Sequence, residues 1–245
     1  MTLGDILIKA RNLTGTDTSS YTNANALIDI NLWLQKVVGM IFDSQDESDW
    51  DDQRNTTYPI KTAPLVASQR DYTIPVSEKV LKIKDVSITY DGTNSYRATP
   101  IDLTDYSAIG NATSAMTTQN TTIDSYFAKT APSYDYKFNS IWIYPTANAS
   151  DVAAGAKIII EWFRQATEFT SAELSTGTVV PGFDDTFHAI LAYGPAFEYA
   201  ESKQLPQAKQ IGAVLADYEA RLRKQYSVKQ GDRKYQLQQD YQSYK

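Results

Sequence analysis

Residues 181–226, PGFDDTFHAILAYGPAFEYAESKQLPQAKQIGAVLADYEARLRKQY, decide the fold. Pro181-Gly182 is a break signal, and Asp184 and Asp185 follow in a first helical turn, where the helix dipole favours acids. Phe183, Phe187, Ile190, Leu191, Gly194 and Phe197 then recur at helical spacing. Pro195 lies inside this pattern. It removes one backbone hydrogen bond and predicts a kink rather than an end, because the stripe runs on to Ala200. Leu205-Pro206 marks a turn, with Pro206 at or near the first position of the next helix. Ile211, Val214, Leu215, Tyr218 and Leu222 form the second stripe. Two amphipathic helices joined by a few residues pack antiparallel or leave both stripes wet. Nothing in this hairpin has a catalytic pattern, and it reads as a scaffold.

The other end of the chain is also helical. Residues 2–13 carry a possible cap at Thr2, an acid at Asp5 and a stripe of Leu3, Ile6, Leu7 and Ala10, with Gly15 as the stop. A polar loop from Thr14 to Thr22 leads to the strongest helical pattern in the chain. There Ala26, Leu27, Ile30, Trp33, Leu34, Val37, Val38 and Ile41 recur at three- and four-residue steps, with Thr22 or Asn23 as cap. So broad a stripe needs more than one neighbour, and the C-terminal hairpin is the obvious partner.

Between these ends the period changes to alternation. Gln53–Ile60, Tyr72–Ile74, Val80–Tyr90, Tyr96–Ile101, Ser125–Lys129, Tyr134–Phe138, Ile141–Tyr144 and Lys157–Arg164 read as strands. Asp91-Gly92-Thr93-Asn94 reads as a hairpin turn. These short strands suggest a sandwich or a strongly bent antiparallel sheet. Thr104–Thr122 is a long loop rich in Ser, Thr and Asn, and Phe169–Val180 is a connector. The expected fold class is α+β. Residues 1–48 supply N-terminal helices of a bundle, 49–177 an inserted antiparallel β domain, 178–226 the C-terminal hairpin of the same bundle, and 227–245 an extended tail.

Composition excludes several chemistries. The 245 residues contain no cysteine and one histidine, so disulfides, thiolate sites and multi-histidine metal sites are ruled out. No cofactor or metal is expected. No run approaches the ~20 apolar residues of a membrane span. The opening MTLGDILIKARNL lacks a basic region followed by an apolar core, so no secretory signal is expected. Net charge is −6, unevenly spread. Seven of the 23 Lys/Arg and two of the 29 Asp/Glu lie from Arg221 onward, so that segment is +5 and the remainder −11. An acidic body argues against a general nucleic-acid face, and a basic tail suits an acidic docking surface.

The candidate reactive groups are few. His188 sits one turn after Asp184 and Asp185, but no nucleophile or convergent pocket accompanies it, and it reads as a helix-surface or interface histidine. Asp43–Asp52 carries six acids and lacks the glycine-bearing calcium-loop pattern; Asp49, Asp51 and Asp52 read as solvated carboxylates. No phosphate-binding or nucleophile-elbow motif is present. Seventeen tyrosines suit interfaces as well as half-buried strands. Strands account for Tyr72, Tyr90 and Tyr144 but not for Tyr235, Tyr241 and Tyr244. Their segment, GDRKYQLQQDYQSYK, has too few apolar residues to hold itself on a core. It is either disordered in the free chain or ordered by a partner.

The order of the pieces resembles the head-to-tail adaptor (connector) proteins of tailed bacteriophages. NANALIDINLWLQKVVGMI (23–41), WDDQRNTTYPIKTAPLVASQRDYTIP (50–75) and VLKIKDVSITYDG (80–92) look like their opening. VPGFDDTFHAILAYGPAFEYAESKQ (180–204), a further helix and DRKYQL (232–237) look like their close. The long loop Thr104–Thr122 departs from the pattern. The resemblance implies a non-enzymatic virion protein, made in the bacterial host cytoplasm and assembled as a ring, commonly dodecameric, under the portal. Portal protein, tail, nozzle or fibre proteins and other copies of the chain are the implied partners. Genomic DNA passes through the ring without sequence-specific binding, and no membrane is involved. In the tail, Gly231 frees the chain, Arg233 and Lys234 supply charge, and Tyr235 and Leu237 supply anchors; with Tyr241 and Tyr244 these are the expected contacts to portal or neighbour. Another tail or baseplate component is the nearest alternative. A carboxylate-dependent glycan hydrolase is the enzymatic one, although no Asp/Glu pair is marked as acid and nucleophile.

Overall fold

Thr2 and Asp5 open the first helix by exchanging hydrogen bonds: Thr2 N donates to the Asp5 carboxylate at 3.0 Å and Asp5 N to Thr2 Oγ1 at 3.2 Å. This capping box satisfies two of the donors that a helix start leaves unpaired. The computed structural model describes residues 1–44, 50–101 and 124–228. Helix α1 (Leu3–Thr14) ends at Gly15, whose φ of 67° is left-handed, and α2 (Asn23–Asp43) is capped by Thr22. Among the described residues there are six α-helices and eight strands. The chain forms two compact units, one from residues 1–56 with 166 onward, the other Thr57–Gln165.

The first unit is helical. It holds α1, α2, α4 (Ser171–Thr176), α5 (Ile190–Ser202) and α6 (Ala208–Val228). Helix α5 touches α1, α2 and α6, and α2 also touches α4 and α6. Its sequence explains this central place: Ile190, Leu191, Ala192, Gly194, Pro195, Ala196 and Ala200 are all buried. A helix apolar on nearly every side needs neighbours on nearly every side. The two helices approach closely at Gly194, where a Cβ would lie 2.1 Å from Trp33 Cδ2 of α2. The buried indole occupies the space that a side chain would fill. Asn31 of α2 adds a polar clamp, donating to Phe169 O at 2.9 Å and accepting from Phe169 N at 2.8 Å.

The second unit is a pair of four-stranded sheets. Strands β1 (Ile60–Pro64), β3 (Val80–Thr89), β4 (Ser95–Arg97) and β8 (Lys157–Arg164) form one, in the order β1-β8-β3-β4 and wholly antiparallel. Strands β2 (Asp71–Thr73), β5 (Thr99–Pro100), β6 (Ser133–Lys137) and β7 (Ser140–Tyr144) form the other, in the order β2-β7-β6-β5, with β5 parallel to β6. Ile158, Ile160 and Trp162 alternate inward along β8 and share one core with Val86, Ile88, Tyr72, Ile141 and Ile143. Two sheets that share one core in this way make a sandwich. A short helix, α3 (Ala149–Ala153), lies between β7 and β8.

Several expectations are corrected. Gln53–Ile60 is not a strand: Gln53 N bonds Gly182 O and Asn55 N bonds Asp52 O, so the backbone is committed to turns and pairing begins only at Ile60. Ser125–Lys129 is likewise a turn region, with Phe127 N bonded to Asp124 O. The run Tyr96–Ile101 splits, because β4 and β5 belong to different sheets and the chain crosses at buried Ala98, whose N–H bonds Val86 O at 2.7 Å. The helix expected from Phe183 starts instead as a 3-10 turn, Asp185–Phe187, capped by Asp184, and α5 begins at Ile190. It runs through Pro195 without ending. The Phe169–Val180 connector contains α4, opened by a Thr170–Glu173 capping box. The Thr104–Thr122 loop lies outside the described residues.

Trp33→Ala is expected to cost about 3–5 kcal/mol in urea denaturation, the range for emptying a large buried aromatic site. Gly194→Ala is expected to cost about 1–3 kcal/mol by overpacking against the same ring. The double variant should then lose less than the sum, since removing Trp33 makes room for the new methyl. Strict additivity would show that the two residues do not press on each other.

Candidate interaction surface

The two chemical candidates of the sequence are both interior. His188 is fully buried, so the expectation of a surface histidine is corrected. Its Nε2 lies 2.8 Å from Phe183 O, and its Nδ1 lies 3.0 Å from Met1 N and 3.2 Å from Met1 O. Asp185 Oδ1 is 3.4 Å away, but that side chain is almost wholly in water. Burial pushes the imidazole pKa down from its ordinary 6.5. The ring therefore ties the segment before α5 to the chain start and has no open side for a substrate.

Asp52 is the second correction. It is not solvated but buried, and both of its oxygens are occupied. Oδ1 accepts from Arg54 N at 2.9 Å and Oδ2 from Thr167 N at 2.7 Å. Gly182 packs against it so closely that a Cβ there would lie 1.6 Å from Asp52 Oδ1. Beside this staple, Arg54 pairs with Glu173 at 2.5 Å and stacks 4.4 Å over Phe169. Asp51 is half-buried, and Asp49 lies outside the described residues. Among the described residues no group of three or more His, Asp or Glu is placed to hold a metal ion.

What remains is surface. On the outer side of α2, Ile28 and Leu32 stand one turn apart and are 59% and 54% exposed. A cleft of about 400 Å³ opens beside Ile28, lined also by Ser20, Tyr21, Asn25, Asp29, Tyr199 and Lys203. Its wall is held firmly. Arg11 donates to Tyr21 O at 2.8 Å and to Asn23 Oδ1 at 2.8 Å, and the Tyr21 ring lies 5.0 Å from that of Tyr199. The Tyr21 hydroxyl donates to Asp29 at 2.7 Å. Burial, and then that carboxylate, push the phenol pKa up, so it stays a donor. The sequence marked Tyr21 only as part of a polar loop. The signal that could have found it is the step from Tyr21 to Asp29 across the start of α2. Farther along the same helix, Lys36 pairs with Glu198 at 2.5 Å and lies 4.2 Å over the Trp33 ring.

The C-terminal end of α6 carries exposed Arg221, Arg223 and Lys224, while Leu222 and Tyr226 face the core. The Tyr226 hydroxyl accepts from Asp184 N at 3.4 Å. The residues expected to bind partners, Arg233, Lys234, Tyr235, Leu237, Tyr241 and Tyr244, lie outside the described residues.

Compared with known families, the chain matches one family model, described as SU10 adaptor protein, over residues 1–242. A search of curated proteins found no match.

Two outcomes test the interior assignments. Gly182→Ala is expected to destabilise by about 1–3 kcal/mol, because its methyl would displace the Asp52 carboxylate from its donors. For His188 the folded pKa lies below the unfolded value of 6.5. Its contribution is therefore whole above pH 6.5 and is lost as pH falls below that, because the unfolded chain then binds the extra proton. The urea midpoint should fall between pH 7.5 and pH 5, and by less in His188→Asn; equal falls would mean that the ring does not carry the effect.

Proposed function

The chain belongs to the SU10 adaptor protein family, a phage structural family, and from that premise we propose that it is the head-to-tail adaptor of a tailed phage, forming a ring beneath the portal. The family implies a virion component that contacts other head and tail proteins and has a structural rather than a catalytic role. The finer reading has helices from both chain ends in one bundle docking on the portal, with the β unit inserted between them. The ring is dodecameric, and the genome passes through it.

The observation that carries this reading is the match over residues 1–242, which spans both units. Charge supports it. Between residues 57 and 165 there are ten Lys/Arg and ten Asp/Glu, so the β unit is neutral. The excess of acid thus belongs to the helical unit before Arg221. A negative surface lets a phosphate backbone slide where a positive one would retain it. It also makes free copies repel one another until a partner holds them. No described helix is long and apolar enough to cross a membrane.

The tail is the proposed docking element. Tyr235 and Leu237 supply buried anchors, aided by Tyr241 and Tyr244, while Arg233 and Lys234 steer the approach to an acidic surface.

Purified protein is expected to sediment as a monomer and to form a closed ring only on portal; a stable ring of the free chain at low salt would count against this account. Deleting residues 231–245 should leave the melting temperature nearly unchanged, since little apolar area goes with them. The same deletion should abolish co-sedimentation with portal. Tyr235→Ala should weaken binding by about 2 kcal/mol at any salt, whereas charge reversal at Arg233 and Lys234 should be mimicked in part by high salt. Wild-type portal occupancy by the truncated chain would move the docking role off the tail.

A further inference from the structure

One end of the β unit gathers unusual exposed groups. The bond from Ile74 N to Asn139 O at 2.8 Å places the end of β2 beside the β6–β7 turn. The chain then passes through a 3-10 turn, Val76–Glu78, straight into β3. Gln165 N bonds Lys79 O at 3.2 Å and Trp162 N bonds Pro59 O at 3.1 Å, which brings residues 58–60 and 79–81 to the same end. Here Phe138 is 87% exposed, Tyr58 82% and Val76 75%. Exposed apolar groups gathered at one end of a unit mark contact sites. Lys79 and Lys82 are exposed among them, with Lys61 and Lys137 half-buried nearby.

Phe138 carries a second mark. It and Asn139 form the β6–β7 turn with φ of 49° and 58°. A two-residue turn of this kind favours Asn-Gly, Asp-Gly or Gly-Gly, because side chains strain at positive φ. Phenylalanine is a poor choice for folding there, and its ring is 87% exposed. Strain held at an exposed aromatic points to use in binding.

We propose that this tip inserts into the helical unit of a second copy, with the Phe138 ring entering the cleft beside Ile28. The cleft has the room and the lining to take an aromatic ring. It offers about 400 Å³, tyrosine rings at Tyr21 and Tyr199, and exposed Ile28. Asp29 lines it, and Glu198 lies on the same side of the unit, close enough to act on the Tyr21 hydroxyl. Exposed Lys79 and Lys82 of the tip, which also holds Glu78 and the Lys137–Asp135 pair, meet Asp29 of a cleft that also holds Lys203, on a unit whose charge is negative before Arg221. Knob and cleft are different surfaces, so the contact is heterologous: it runs from copy to copy and closes only as a ring. It is weak alone and becomes effective when a platform holds copies side by side. This contact rests on the ring reading above and assigns the surfaces that form the ring.

The absence of cysteine makes introduced thiols specific reporters. Full-length Phe138→Cys and Ile28→Cys chains, mixed in equal amounts and assembled on portal, are oxidised and separated without reductant. A linked dimer is expected from the mixture and from neither chain alone. Phe138→Gly is the companion variant. Its melting temperature should stay level or rise, because the strain is relieved, while its portal-bound occupancy at limiting concentration should drop roughly tenfold, the loss typical of one aromatic anchor. Full occupancy by Phe138→Gly with no mixed dimer overturns the contact and leaves the adaptor reading standing. Dimers of Phe138→Cys with itself also overturn it, since the tips would then meet symmetrically. Failure of the unaltered chain to bind portal would sink the adaptor reading, and this contact with it.

Discussion

The helical unit depends on the meeting of Trp33 with Gly194. A tryptophan buries more apolar area than any other side chain, and it needs a flat opposing surface to do so. Glycine provides that surface, at the cost of helix propensity, in the middle of α5. At this close approach α2 touches α5, and α5 in turn touches α1 and α6. Lys36 seals the outer edge of the indole and is itself held by Glu198 of α5, so one charged side chain serves a stacking contact and an ion pair. The pair itself is exposed and adds little.

Around that contact, segments without regular structure are fixed by polar groups rather than by apolar burial. Asp52 takes two backbone N–H groups, from Arg54 and Thr167, and Asn31 takes both backbone groups of Phe169. His188 holds the carbonyl of Phe183. Asp52 and His188 are buried and Asn31 half-buried, and all three bond main-chain atoms, the arrangement in which removal of one member leaves an unsatisfied group. The chain is thereby pinned where it enters and leaves its helices, and the surface beside those points keeps its shape for a partner.

Assembly places opposite demands on the surface and on the core. On the proposed reading, a subunit that stays apart when free and associates on a platform needs repulsion at long range and adhesion at contact. Net negative charge on the helical unit supplies the first, and it is screened within about 10 Å in ordinary salt. Exposed apolar and aromatic groups, such as Ile28, Leu32 and Phe138, supply the second at short range.

The sequence by itself determined the elements whose signals are local. The Thr2–Asp5 box, the Gly15 stop, the stripe of α2 and the alternation of β8 each lie within a few residues, so their physics is complete before the chain folds. The order of these pieces also carried the family. The capping boxes at Asn148–Asp151 and Thr170–Glu173, which open α3 and α4, are equally local signals. Only the tertiary structure decided the rest. Asp52 looked like one more solvated acid because its donor Thr167 is far along the chain. His188 looked superficial because its partners lie outside its helix. Phe138 continued an alternating run, yet pairing of Lys137 with Ser140 leaves it in the turn at positive φ. In each case the environment of a side chain is set by residues distant in sequence, and no local pattern records it.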